Sequence, residues 1–146
     1  MSDDTPPTMQ AFKYETPPAD QPRKTVWLCR TEHLVGAVQM LMKGGEQALH
    51  SHAHLDGFWF VLKGRARFYS DKDTVFAEVG PHEGVLVPRG TKYWFEAVKG
   101  EPLELLQVEA SDIAFKTRDE LRKDVTYYAE RAPGSIIKEN IEAKTV

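Results

Sequence analysis

Three of the chain's five histidines alternate, as His50, His52 and His54, in the stretch Leu49-His50-Ser51-His52-Ala53-His54-Leu55-Asp56-Gly57. Successive side chains of a β-strand point to opposite faces, so alternate residues of a straight strand share one face. Three imidazoles on one face are candidate ligands for a divalent metal such as Fe, Mn, Ni or Zn. The plainer alternative is a surface strand carrying solvated histidines. The aromatic and aliphatic run Phe58-Trp59-Phe60-Val61-Leu62 follows at once, and Gly64 closes it.

The elements that would hold these histidines are short. Thr25 to Arg30, Leu34 to Met42, Phe58 to Leu62, Arg65 to Ser70, Thr74 to Val79, Gly84 to Val87, Tyr93 to Glu96 and Leu103 to Glu109 are rich in β-branched and aromatic residues, with Gly, Pro and Asp between them. Such a series predicts an all-β sandwich or barrel over residues 25–112. Asp71-Lys72-Asp73 reads as a hairpin loop. Residues 1–24 hold five of the nine prolines and form an extended or disordered arm, to which Phe12 and Tyr14 lend something apolar to dock. Residues 113–146 make a helix and tail. Thr117-Arg118-Asp119-Glu120 has the capping-box form, and Leu121, Val125, Tyr128 and Ala132 follow at helical spacing until Pro133-Gly134. Ile136, Ile137 and Ile141 belong to a tail that either docks or frays.

Composition narrows the function classes. At 146 residues the chain makes one domain, and a net charge of -3 with pI about 6.0 and no basic block argues against a nucleic-acid partner. The lone Cys29 allows no internal disulfide and is expected buried, in a reducing compartment. No apolar run approaches the roughly 20 residues that span a bilayer. The N-terminus lacks the features of a secretory signal. A cytoplasmic protein with no membrane partner is expected.

Together these features resemble the cupin superfamily, small double-stranded β-helical barrels of the jelly-roll kind. Gly44 precedes His50 by five intervening residues, His52 completes a His-x-His pair, and Gly64 falls where the family's first motif ends. Gly57 occupies the position of that motif's glutamate, and Asp56 is the nearest carboxylate. The second motif, Pro-x-Gly followed by two residues and a histidine, is matched by Pro88-Arg89-Gly90-Thr91-Lys92, and then by Tyr93 instead of histidine. The resemblance implies a metal held by two histidines, a glutamate and a further histidine. His50 and His52 carry over. His54, Asp56 and Tyr93 are the candidates for the missing ligands.

The resemblance therefore implies a small-molecule site in the barrel, centred on His50 and His52, with oxygenase, isomerase and lyase reactions all open and no nucleotide cofactor. Metal-assisted chemistry is one reading. A metal-free sugar or nucleotide-sugar isomerase or epimerase, with His50 or His52 and Tyr93 passing protons, is a second. A non-enzymatic ligand-binding or sensor domain is a third. Alternation turns Trp59 and Phe95 inward as pocket walls. Arg65, Arg67 and Arg89 are candidates to hold an anion through the guanidinium fork. A homodimer is expected from the apolar barrel exterior, the arm and the helix.

Overall fold

The computed structural model describes residues 7–42, 48–98, 100–128 and 138–146. Gly44, Ala132, Pro133, Gly134, Ile136 and Ile137 lie outside them. In chain order the elements are β1 (Phe12–Lys13), β2 (Arg23–Arg30), β3 (Leu34–Leu41), β4 (His50–Ser51), β5 (Leu55–Lys63), β6 (Ala66–Tyr69), β7 (Val75–Val79), β8 (Gly84–Val87), β9 (Trp94–Ala97) and β10 (Leu103–Ser111). After these come α1 (Arg118–Lys123), β11 (Thr126–Tyr127), β12 (Lys138–Glu142) and β13 (Lys144–Thr145).

Six strands hydrogen-bond in the order β12-β2-β3-β10-β5-β8, and β7-β6-β9 form a second sheet. Both sheets contribute to one core, in which Leu41, Trp59, Val61, Leu103 and Leu105 of the larger meet Ala66, Phe68, Val79 and Phe95 of the smaller. Period-2 burial explains this division of faces. In β5, Trp59 and Val61 are buried while Phe58 is exposed, and in β6 Ala66 and Phe68 are buried while Arg67 is only partly covered. The Asp71-Lys72-Asp73 stretch connects the antiparallel pair β6 and β7, as expected of a hairpin loop.

The two ends of the chain secure the large sheet. β12 adds to β2 in parallel, and β13 pairs with β1. The Tyr14 hydroxyl donates to Glu104, and the Thr16 hydroxyl donates to the same carboxylate at 2.7 Å. Burial and the Glu104 carboxylate push the Tyr14 phenol above its ordinary range. The described part of the proline-rich arm is thus extended and tied to the barrel, and Ile141 of the tail lies in a strand. Cys29 is half-buried, less enclosed than its apolar neighbours suggested.

The helix is much shorter than its sequence pattern. Thr117 caps it, accepting from the Glu120 N–H at 3.1 Å, but the helix ends at Lys123 and buries no residue fully. Val125 and Tyr128 fall beyond it, because Thr126 and Tyr127 pair with Ser51 and His50 instead. A six-residue helix gains little by itself, so a competing strand pairing decides where the chain turns. Of the surfaces expected to mediate association, the arm packs on its own barrel. Phe58 and Leu86, paired across β5 and β8, remain exposed. Among the described residues no helix is long and apolar enough to cross a membrane.

Candidate functional site

The register of the large sheet places a polar row on its inner face. Arg23 of β2 lies opposite Leu41, Gln39 of β3 opposite Leu105, and Gln107 of β10 opposite Trp59, so these residues face the same side. Glu109 lies two residues beyond Gln107 and directly opposite Gly57. All four line a cavity of about 520 Å3 with His50, His52, Trp59 and Tyr93. The segment after β10 completes it through Leu121, Arg122, Val125 and Tyr127.

His50 and His52 reach this cavity by different local means. β4 is only two residues long, and His50 exchanges backbone hydrogen bonds with Tyr93, N–H to carbonyl at 3.1 and 2.9 Å. The Gly90 N–H donates to the His52 carbonyl at 2.7 Å, with Gly90 at φ 80°, a left-handed conformation that suits a residue without Cβ. Pro88-Arg89-Gly90 is therefore the turn that lays Tyr93 beside the histidines. The His50 and Tyr93 ring centroids are 4.4 Å apart, and those of His50 and His52 5.1 Å.

Backbone carbonyls decide the imidazole tautomers. The His50 Nδ1 lies 2.7 Å from the Ala48 carbonyl, and the His52 Nδ1 is bonded to the carbonyl of Asp124. A carbonyl only accepts, so each Nδ1 carries hydrogen and, in the neutral ring, each Nε2 carries the lone pair. The Tyr93 hydroxyl stands 3.4 Å from the His52 Nε2. Tyr93 is 5% exposed, and burial, reinforced by the Glu109 carboxylate, holds its phenol well above the ordinary value of 10.0. Tyr93 is accordingly a proton donor throughout the neutral range.

The other residues selected from sequence fall in three places. Trp59 lines the cavity, and Phe95 supports it from behind with ring centroids 5.0 Å apart. Arg67 points away from the core, where alternation puts it, and pairs with Glu78 at 3.3 Å and Glu96 at 3.4 Å, while Arg65 pairs with Glu78 at 3.2 Å. His54, Asp56 and Arg89 belong to an exposed cluster: Arg89 pairs with Asp56 at 2.7 Å and Asp112 at 2.6 Å, and His54 lies 3.0 Å from Asp112. The Arg89 guanidinium lowers the Asp56 carboxyl below its usual range. A bend at Ala53 and His54, just before β5 begins, breaks the alternation that would have put His54 beside His52.

Arg23, Gln39, Gln107 and Glu109 were not singled out from sequence. Their signal is nevertheless there: each is polar at an inward position of its strand, a parity readable once the register is known. Glu109 also explains Gly57. A Cβ at residue 57 would stand 3.2 Å from the Glu109 Cγ, so the glutamate of β10 occupies space that a side chain on β5 would need. Among the described residues, no three His, Cys, Asp or Glu side chains gather closely enough to hold a metal ion. Two imidazoles fall short of the three protein ligands usual at an open catalytic zinc site, so the described donor set does not fit the metal the family pattern implies.

The sequence matches the model of the Cupin domain family over residues 37–109. Comparison with curated proteins gives no match. Among solved structures, the chain resembles an uncharacterized conserved protein with a double-stranded beta-helix domain from Klebsiella pneumoniae, at TM-score 0.61 and 19% identity, over 77% of this chain and 84% of that one. KdgF from Halomonas sp. is similar at TM-score 0.58 and 14% identity, over 70% and 94%. The DMSP lyase DddQ from Ruegeria pomeroyi is similar at TM-score 0.51 and 19% identity, over 67% of this chain and 44% of that one. At these identities the likeness is one of fold, and that fold is the double-stranded β-helix.

Proposed function

Because the chain belongs to the cupin family, whose domain model matches half of it, we propose that its barrel binds a small organic molecule and moves a proton on it with its own side chains. The pairing of Tyr93 with the Nε2 of His52, 3.4 Å apart at the cavity wall, carries this reading. Such contacts are often long in a ligand-free site and tighten around substrate.

The two residue types divide the work. An imidazole whose Nδ1–H is tied to a carbonyl presents the Nε2 lone pair as the base. His50 or His52 removes a proton from the carbon next to a substrate carbonyl; the C–H electron pair forms the new carbon–carbon double bond, and the carbonyl π pair moves onto the oxygen. The Tyr93 hydroxyl donates a hydrogen bond to that developing enolate oxygen. Returning the proton to the same carbon from the other face gives an epimer. Where that carbon bears a hydroxyl, returning it to the former carbonyl carbon while the hydroxyl proton passes to the enolate oxygen gives the isomer. Acid and base groups so positioned typically contribute about 10²–10⁴-fold.

Exchange in D2O tests the proposal. Wild-type protein is expected to place deuterium at the carbon next to the carbonyl of at least one member of an aldose, ketose and 2-oxo acid panel, read by proton NMR. Tyr93→Phe should slow that exchange about 100-fold with little change in KM. Exchange no faster than in buffer sinks the proposal. Exchange that disappears after chelation and returns with added Fe, Mn, Ni or Zn favours the metal-assisted alternative instead.

A further inference from the structure

We infer that the cavity is shaped for a small hydroxylated carboxylate, whose anionic end Arg122 grips while the Arg23–Glu109 wall reads its hydroxyls. This rests on the reading of the same cavity as the ligand site. The wall is a directional chain. The Arg23 guanidinium donates to the Gln39 Oε1, the Gln39 Nε2 donates to the Gln107 Oε1 at 2.6 Å, and the Gln107 Nε2 donates to the Glu109 carboxylate. A guanidinium only donates and an ionised carboxylate only accepts, so both carboxamides are held in one orientation.

Each carboxamide uses one N–H and one lone pair within this chain and retains another of each. The wall therefore offers donors and acceptors side by side, the pattern that a row of hydroxyl groups satisfies, because each hydroxyl both donates and accepts. Arg23 is 4% exposed and Glu109 is 6% exposed, so these groups are built into the barrel interior. An apolar ligand would leave the remaining hydrogen-bonding capacity of the Gln39 and Gln107 carboxamides unmet. The rings of Trp27, Trp59 and Tyr127, which also line the cavity, suit the C–H faces of such a ligand.

Charge selects the anionic end. Among the described lining residues the formally charged groups, histidines aside, are Arg23, Arg122 and Glu109. Arg23 and Glu109 are opposite charges on the same chain, which leaves Arg122 as the cation in excess. Arg65, Arg67, Arg89 and Arg118 have carboxylate partners, and Arg30 donates to two carbonyls. Arg122 makes no hydrogen bond or ion pair among the described residues, and it is exposed at the cavity. One surplus guanidinium beside a buried carboxylate matches a monoanion better than a phosphate dianion. Two residues beyond Arg122 stands Asp124, whose carbonyl accepts from the His52 Nδ1, so one segment carries the anion grip and orients an imidazole.

The probes are matched pairs, gluconate with sorbitol and glycerate with glycerol, together with inorganic phosphate, titrated by calorimetry against the full chain. At least one carboxylate is expected to bind saturably and its alcohol at least tenfold more weakly. Arg122→Gln should weaken the carboxylate by about tenfold or more, as expected for loss of a charge-assisted pair, with Arg122→Lys in between. Arg67→Gln, on the outer surface, should leave affinity unchanged and serves as the folded control. Binding of alcohol and acid alike, tighter binding of phosphate, an unchanged Arg122→Gln affinity, or no binding by either acid overturns the inference. Tyr93→Phe should retain carboxylate binding. Carboxylate binding without deuterium exchange on any substrate leaves this inference standing and ends the proton-transfer reading. Exchange on neutral carbonyl compounds that Arg122→Gln does not affect does the reverse.

Discussion

Gly57 and Glu109 face each other across β5 and β10, and the absence of a side chain on one is what seats the other. Gly57 has an ordinary negative φ, so a substitution there is resisted by Glu109 rather than by backbone strain. Gly57→Ala is expected to displace Glu109 and cost about 1–2 kcal/mol, the usual scale of overpacking, measured by urea denaturation. Combining Gly57→Ala with Glu109→Ala should recover the packing part of that loss. An undiminished midpoint in Gly57→Ala would show that Glu109 yields freely. The pair also bears on how the site was legible. Gly57 was visible in the sequence as an altered position, but its occupant came from a strand about fifty residues away, and only sheet register brings the two together.

The C-terminal elements act on the site through pairing more than through apolar burial. β11 pairs with β4, the Tyr128 hydroxyl meets the Ser51 hydroxyl at 2.8 Å, and the Asp124 carboxylate accepts the His54 N–H at 3.0 Å. Farther on, β12 covers the edge of β2, and its Asn140 side chain accepts from the Trp27 Nε1 at 3.0 Å. Truncation after Tyr128 should therefore expose the β2 edge, lower the thermal midpoint and promote association, since unpaired strand edges invite pairing. Scanning calorimetry with light scattering checks this, and an unchanged midpoint would mean that β12 contributes nothing to stability. The capping box was readable from sequence, and Thr117 does cap α1. The early end of that helix was not, because the competing partner strand β4 is a tertiary feature.

At the scale of the whole molecule, a half-buried tyrosine and a buried one set a limit on alkaline stability. Tyr14 ties the arm to Glu104 and Tyr93 faces the cavity, and burial raises both phenols above 10.0. The sign follows from linkage: below the unfolded value near 10 both states hold their protons and stability is fully present. As pH rises above it the unfolded chain ionises first and stability falls. The chemical denaturation midpoint is thus expected to decline above about pH 10, less steeply in Tyr93→Phe. A flat profile to pH 11 would contradict the burial of both phenols. What the sequence determined by itself was local or periodic: the short strands between turn residues, the inward parity of Trp59 and Phe95, the His50, His52 and Tyr93 positions, and the family likeness. Tertiary structure decided which of the charged and polar residues line the cavity. Arg67, Arg89, His54 and Asp56 meet their partners outside, while Arg23, Gln39, Gln107, Glu109 and Arg122 line the cavity. The physical reason is that alternation gives two faces to every strand, but a shift of one residue exchanges them, and only pairing with neighbouring strands fixes which face closes on the interior.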